Sequence, residues 1–298
     1  MNDNLNMKIT ETRNPASEEL DTKSTSEIIK LINEEDATVA NSVAETIPEI
    51  TGLVEAIVPR MRKGGRIIYV GAGTSGRLGI IDAVECVPTF SLEQGRVIGI
   101  LAGGENAMFR AQEGIEDSQK KGEEIIIEHN VNELDTVIGI AASGSTPYVI
   151  GAIKAARELG ALTGALVCNY NSELVENADH KIRAVVGPEV LTGSTRLKAG
   201  TAQKMILNTI STTVMIRLGK VYNNLMVDLK ATNAKLKERA RRIVSEITGI
   251  DNEKADEFLK AADYQVKEAI IMIKRECDLK EAKELLDDNQ GDLRSIIE

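Results

Sequence analysis

Apolar positions along the chain fall into two patterns. Five short runs are almost continuously apolar: 66–70 (RIIYV), 97–102 (VIGILA), 136–141 (TVIGIA), 162–168 (LTGALVC) and 182–186 (IRAVV). Each closes at Gly, Asn or a Ser/Gly cluster. Runs of this kind suit strands buried on both faces, as in a parallel sheet, where a half-exposed strand would alternate. Between most of them apolar residues recur at helical spacing, over 77–86, 106–124 and 148–159, the last stopped by Gly160. Strand and helix alternate, which predicts an α/β fold: a doubly wound, five-stranded parallel sheet with helices on both faces.

Helical patterns also flank this core. Segments 24–33 and 37–61 precede it, with Val39, Val43, Ile47, Ile50 and Val54 at helical spacing and Pro48 expected to kink or reset the second. A long pattern over 196–218, rich in Thr, Met, Ile and Ala, follows it, and its apolar side is expected on the sheet or on a partner subunit. Beyond about residue 232 no strand-like run remains. Short amphipathic patterns are separated by turn signals near 249–251, 263, 278 and 289–291. The expected organisation is one domain over 1–232, including an N-terminal helical arm (1–62), and a small all-helical domain over 233–298.

Composition narrows the possible partners. A chain of 298 residues can bury a core without disulfides or metals to staple it. Aromatics are 3% with no Trp, which argues against binding single-stranded nucleic acid by base stacking. A net charge of −10 argues against a phosphate-tracking basic surface. An anion would have to be held locally, by backbone N–H groups and a few placed cations. Cys86, Cys168 and Cys277 form no CxxC pair, and His129 and His180 stand alone, so neither a disulfide framework nor a metal site is expected. The first residues are polar, with no apolar signal core, and no run reaches the length of a membrane span. The expectation is a cytoplasmic protein without membrane or nucleic-acid partners.

Two loops carry candidate chemistry. Residues 71–77 (GAGTSGR) lie between the first strand and a helix, and 143–147 (SGSTP) follow the third strand and open another helix. Glycines let the backbone approach a ligand, and helix starts present free N–H groups and a positive dipole end to an anion. Thr74 and Ser75 in one loop, and Ser143, Ser145 and Thr146 in the other, add hydroxyl donors suited to a phosphate monoester. Gly73 and Gly144 would let the two loops close on it. The first loop also matches GxGxxG. Dinucleotide binding, however, wants an acidic residue ending the second strand, and here Glu105 lies beyond two glycines. It also leaves the second loop unexplained.

These loops resemble the sugar isomerase (SIS) fold. Taken with TETRNP (10–15), DAVEC (82–86), GIED (114–117), ASGSTPY (142–148) and GPEVLTGSTRLKAGT (187–201), the chain resembles the N-acetylmuramic acid 6-phosphate etherase family. The last segment, 281–297, resembles a ubiquitin-associated helical module. Family resemblance implies a lyase that cleaves the D-lactyl ether of N-acetylmuramic acid 6-phosphate, without cofactor or metal, by elimination and then water addition. It implies Glu85 as the acid at the lactyl oxygen and Glu116 as the base at C2. Glu85 stands out without it, as a carboxylate between Val84 and Cys86 in an otherwise apolar stretch. Asn14 and Lys198 are further candidates for substrate contact, with Arg77, Arg196 and Lys204 as other cations. A homodimer is expected. The alternatives are a non-catalytic phosphosugar sensor, as in the similar glucokinase regulatory protein, and an aldose–ketose isomerase on the same fold.

Overall fold

The apolar runs form the strands β1 (Ile67–Gly71), β2 (Val97–Leu101), β3 (Thr136–Ile140), β4 (Leu162–Val167) and β5 (His180–Arg183). The computed structural model describes residues 8–110, 114–229, 231 and 234–298. The strands make one all-parallel sheet in the order β2-β1-β3-β4-β5. Every residue of β1, β3 and β4 is buried, which is why these runs lack alternation. β5 starts at His180, two residues ahead of the expected run. Asp179 fixes this start: its carboxylate accepts from the backbone N–H and hydroxyl of Thr163 at the head of β4.

The chain advances from β1 to β2 on one side, then returns so that β3 pairs on the other side of β1. Open α/β sheets bind ligands at such a switch point, outside the carboxyl ends of the strands. At the opposite end of the β1–β3 pair, the Arg66 guanidinium makes a two-pronged contact with the buried Asp135 carboxylate, Nε to Oδ1 at 3.0 Å and Nη2 to Oδ2 at 2.6 Å. Asp135 also accepts from the backbone N–H of Arg66, so the start of β1 is tied to the start of β3.

The helices before and between the strands are α1 (Thr25–Asp36), α2 (Val39–Ala44), α3 (Ile47–Arg62), α4 (Gly73–Phe90), α5 (Asn106–Phe109), α6 (Gln119–Glu128), α7 (Pro147–Glu158) and α8 (Glu173–Asn177), and α9 (Lys198–Arg217) follows the last strand. Ser24 opens α1 with a capping box to Glu27. The helix expected over 37–61 divides, and Pro48 sits in the first turn of α3, where a missing N–H leaves no bond unmade. The helix expected over 106–124 also divides. α5 ends at Phe109, Gly114 takes φ +80°, and Ser118 caps the restart at α6 by accepting from the Lys121 N–H. Two glycines then let α6 cross α7 at backbone distance. A Cβ on Gly122 would strike the Tyr148 carbonyl, and one on Gly151 the Gln119 carbonyl.

The chain forms two compact units. Residues up to Val84 together with Gly95–Ile210 form the first, and Glu85–Gln94 together with Ser211–Glu298 form the second. The break expected after residue 232 lies inside the second unit. That unit holds α10 (Ala234–Thr248), α11 (Asn252–Ala261), α12 (Val266–Arg275), α13 (Leu279–Asp288) and α14 (Leu293–Ile297). Asp251, Asp278 and Asp292 cap three of these helices. Ile243, Val244, Leu259, Ile270, Ile271, Leu293 and Ile296 build their core. Among the described residues no helix is long and apolar enough to cross a membrane.

The glycine crossing gives a test of the packing. Gly151→Val should lower stability by about 3 kcal/mol in urea unfolding, because the added carbons meet backbone that must shift. An unchanged unfolding midpoint would show that α6 and α7 are not held at this distance.

Candidate functional site

The first loop is shaped by close approach of strand end and helix start. A Cβ on Gly71 would overlap the Gly76 backbone, and one on Gly76 would overlap the Gly71 carbonyl and Leu101, so only glycine fits at either. Gly73 takes φ +53° between them. Thr74 is half-buried. Ser75 is buried, and its hydroxyl donates to Gln203 Oε1 on α9 at 2.9 Å. α9 itself starts under a fully buried carboxylate: Glu189 accepts from the N–H groups of Lys198 and Ala199, both at 2.9 Å. That carboxylate satisfies two donors at a helix start that would otherwise lie buried without partners.

The second loop lies beside the first because β1 pairs with β3, Gly71 opposite Ile140. Gly144 takes φ +67° and leaves no room for a side chain against Ser172. The hydroxyls of Ser143 and Ser145 lie 3.1 Å apart, and the Ser145 N–H donates to Ser143 Oγ. Thr146 is the N-cap of α7, with Pro147 as its first residue. Glu116 joins this loop. It sits in the turn ahead of α6 and not on a helix as expected, since the chain between α5 and α6 is broken by Gly114 and recapped by Ser118. The Tyr148 N–H donates to the Glu116 carbonyl at 3.0 Å, which pins the residue to the first turn of α7. Its carboxylate is exposed. Sequence periodicity missed this anchor because the signal is a pair of glycines, Gly122 and Gly151, on two separate helices.

Other expected residues are placed differently. Glu85 is exposed on α4, beside exposed Ile81, Val84 and Val87. Asn14 is buried and builds backbone: its Oδ1 accepts from the Ala16 N–H and its Nδ2 donates to the Pro188 carbonyl. Lys198 is buried with its ammonium on Glu35 at 2.5 Å. Arg77 donates to the carbonyls of Ala107 and Met108 at the end of α5. Arg196 and Lys204 are exposed. A cleft of about 630 Å³ runs along β2, past Gly99, Gly103, Glu105, Ile115 and Tyr148. Its lining includes Tyr148, the donor in the Tyr148–Glu116 bond, and Ile115 next to Glu116, but no Ser or Thr of either loop.

Burial, and next the Glu189 carboxylate, push the Cys168 thiol up to about 12, so it stays protonated and inert at neutral pH. Among the described residues no group of three or more His, Cys, Asp or Glu is arranged to hold a metal ion.

A parallel sheet with hydroxyl-rich loops at its switch point defines an SIS-domain protein, and the sequence comparisons agree. The family model for the glucokinase regulatory protein N-terminal SIS domain matches residues 49–157, and that for the SIS domain matches 121–212. The model for the C-terminal lid domain of glucokinase regulatory protein matches 223–269. A phosphoheptose isomerase from Francisella tularensis shares the fold, with a TM-score of 0.50 and 17% identity over 65% of this chain and 100% of its own. The N-acetylmuramic acid 6-phosphate etherases of Salmonella agona (strain SL483) and Salmonella typhi are each 52% identical to this chain over 295 residues, 99% of its length and 99% of theirs. The chain belongs to the N-acetylmuramic acid 6-phosphate etherase family.

The raised Cys168 thiol predicts an ordered labelling pattern. With iodoacetamide at mildly alkaline pH, the partly exposed Cys277 should be alkylated in the native protein, and Cys168 only after unfolding. Peptide mapping that finds native Cys168 modified would contradict the buried placement.

Proposed function

We propose that this chain cleaves the ether joining D-lactate to C3 of N-acetylmuramic acid 6-phosphate, releasing N-acetylglucosamine 6-phosphate and D-lactate. One observation carries the proposal: two hydroxyl-rich loops meet at the switch point with Glu116 pinned to one of them, in a chain 52% identical to relatives bearing that name. Gly73, Thr74, Ser75, Ser143, Gly144, Ser145 and Thr146 would hold the phosphate through hydroxyls and backbone N–H groups. Asn14 and Lys198 act as positioning residues, since direct contact would require them to leave Pro188 and Glu35.

The chemistry follows from the acidity of a proton next to a carbonyl. Ring opening exposes the aldehyde at C1 and makes the C2 proton removable. Glu116 takes that proton, the electron pair forms the C2–C3 double bond, and the C3–O bond breaks. Glu85 protonates the departing lactyl oxygen. Water then adds at C3 and C2 is reprotonated, so the overall change is addition of one water across the ether. Two carboxylates with opposite tasks suffice for this sequence, and neither step calls for a metal or a nucleotide.

A homodimer is part of this reading. Glu85 stands eleven residues beyond Thr74 on one helix, about 16 Å of rise. A hexose phosphate anchored at the loops is shorter than that. We therefore assign Glu85 to the site of a second copy, whose surface would cover the exposed Ile81 and Val84 beside it. The cytoplasm, where unpaired thiols persist, suits the free cysteines.

Purified protein given N-acetylmuramic acid 6-phosphate should release D-lactate in step with N-acetylglucosamine 6-phosphate. An isomerase would release no acid and a sensor would bind without turnover, so absence of lactate sinks the proposal. Glu85→Gln and Glu116→Gln should each lose at least about 100-fold in kcat while still binding the product. Sedimentation should find a dimer. Mixing the two inactive variants should restore part of the activity, because one site of each mixed dimer keeps both carboxylates. A mixture as inactive as its parts, with subunit exchange verified, would place both residues in one chain's site.

A further inference from the structure

Residues 8–17 run across the carboxyl ends of three strands. Thr10 is fully buried and accepts from Asn169 Nδ2 at 3.3 Å, just past β4. Asn169 also donates to the Ala142 carbonyl past β3 at 3.0 Å, and Asn14 reaches the Pro188 carbonyl past β5. The segment is thus a strap fastened over the ligand end of the sheet. At its head, Lys8 donates from Nζ to Ser145 Oγ at 2.5 Å, and Ser145 in turn lies against Ser143. The cations singled out from sequence are occupied elsewhere in two instances, Arg77 on carbonyls of α5 and Lys198 on Glu35.

From this geometry we propose that Lys8 is a phosphate-binding residue, carried onto the second loop by the strap. The inference rests on the phosphosugar reading above and adds to it the cation that neutralises the ester. An ammonium has three donors. One is on Ser145, and the other two are left for the oxygens of a phosphate seated among Ser143, Ser145 and Thr146. In a chain of net charge −10, attraction for an anion has to be supplied at the site, and Lys8 is the charge the fold delivers there. Thr10, buried two residues further on, holds the lysine in place.

Isothermal titration of the full chain with N-acetylglucosamine 6-phosphate, and separately with inorganic phosphate, tests this without turnover. Lys8→Ala should weaken both ligands by about tenfold or more, as loss of a charge-assisted contact does. Lys8→Arg should recover most of the affinity. Lys30→Ala, which removes an exposed lysine paired with Glu34 on α1, should bind as the wild type does. The unliganded Lys8→Ala protein should melt within about 2 °C of wild type. Wild-type affinity in Lys8→Ala, or an equal loss in Lys30→Ala, overturns the assignment, as does a large fall in the unliganded Tm, which would make the residue structural. Wild-type binding with the predicted Lys8 dependence but no lactate release would overturn the reaction and leave Lys8 standing. Lactate release with unaltered binding in Lys8→Ala would overturn Lys8 alone.

Discussion

Pairing of β1 with β3 is the constraint from which the rest of the site follows. Parallel strands need a crossover between them, and here the crossover through β2 turns back across β1. Two loops far apart in sequence then end on adjacent strands, at the same height, with Gly71 opposite Ile140. The register has its own lock at the other end, where Asp135 holds both the backbone and the guanidinium of Arg66. Charge assistance makes this contact stronger than a neutral hydrogen bond. The same hydrogen bonding to Asp135 raises the Arg66 pKa, so the guanidinium keeps its charge throughout the physiological range.

Glycine sets how closely helices approach that pair of strands, and the consequence is chemical as well as structural. Gly71 and Gly76 let α4 begin almost on top of β1. Gly122 and Gly151 bring α6 against α7 backbone to backbone, and this delivers the turn ahead of α6 to the Tyr148 N–H. Glu116 is held through its own main-chain carbonyl, and the residue is exposed. Polar groups at the ends of the remaining elements are satisfied by side chains with the same economy. Glu189 closes the start of α9, and Asn169 bridges the strap and the end of β3.

Much of this was legible in the sequence. Buried parallel strands need continuous apolar runs, and the five runs match the sheet, four strands to within a residue at each end and β5 shifted toward the N-terminus, because that demand is local. Glycine and hydroxyl residues at strand ends marked both loops for the same reason. Glu85 stands out in sequence as a carboxylate in an apolar stretch, and on α4 it lies on the exposed side with Ile81, Val84 and Val87, while Ala83 and Cys86 are buried. Three of the candidate ligand contacts have partners within the fold that the sequence does not show. Lys198 and Arg77 look like ligand cations in sequence, but their partners Glu35 and the α5 carbonyls are distant along the chain. Asn14, likewise, is absorbed by Pro188.

Alone, then, the sequence determined the αβ alternation, the two loops and, through a long run of matching motifs, the family. These are properties of short segments, fixed by propensity, periodicity and residue chemistry. Tertiary structure decided which loops are neighbours, where Glu116 is held, which cations are engaged and that Lys8 reaches the second loop. Those outcomes depend on strand order and on pairs of residues separated by up to 174 positions, as for Asn14 and Pro188. No local preference encodes such a pair; only the folded chain brings its members within the few ångströms over which hydrogen bonds act.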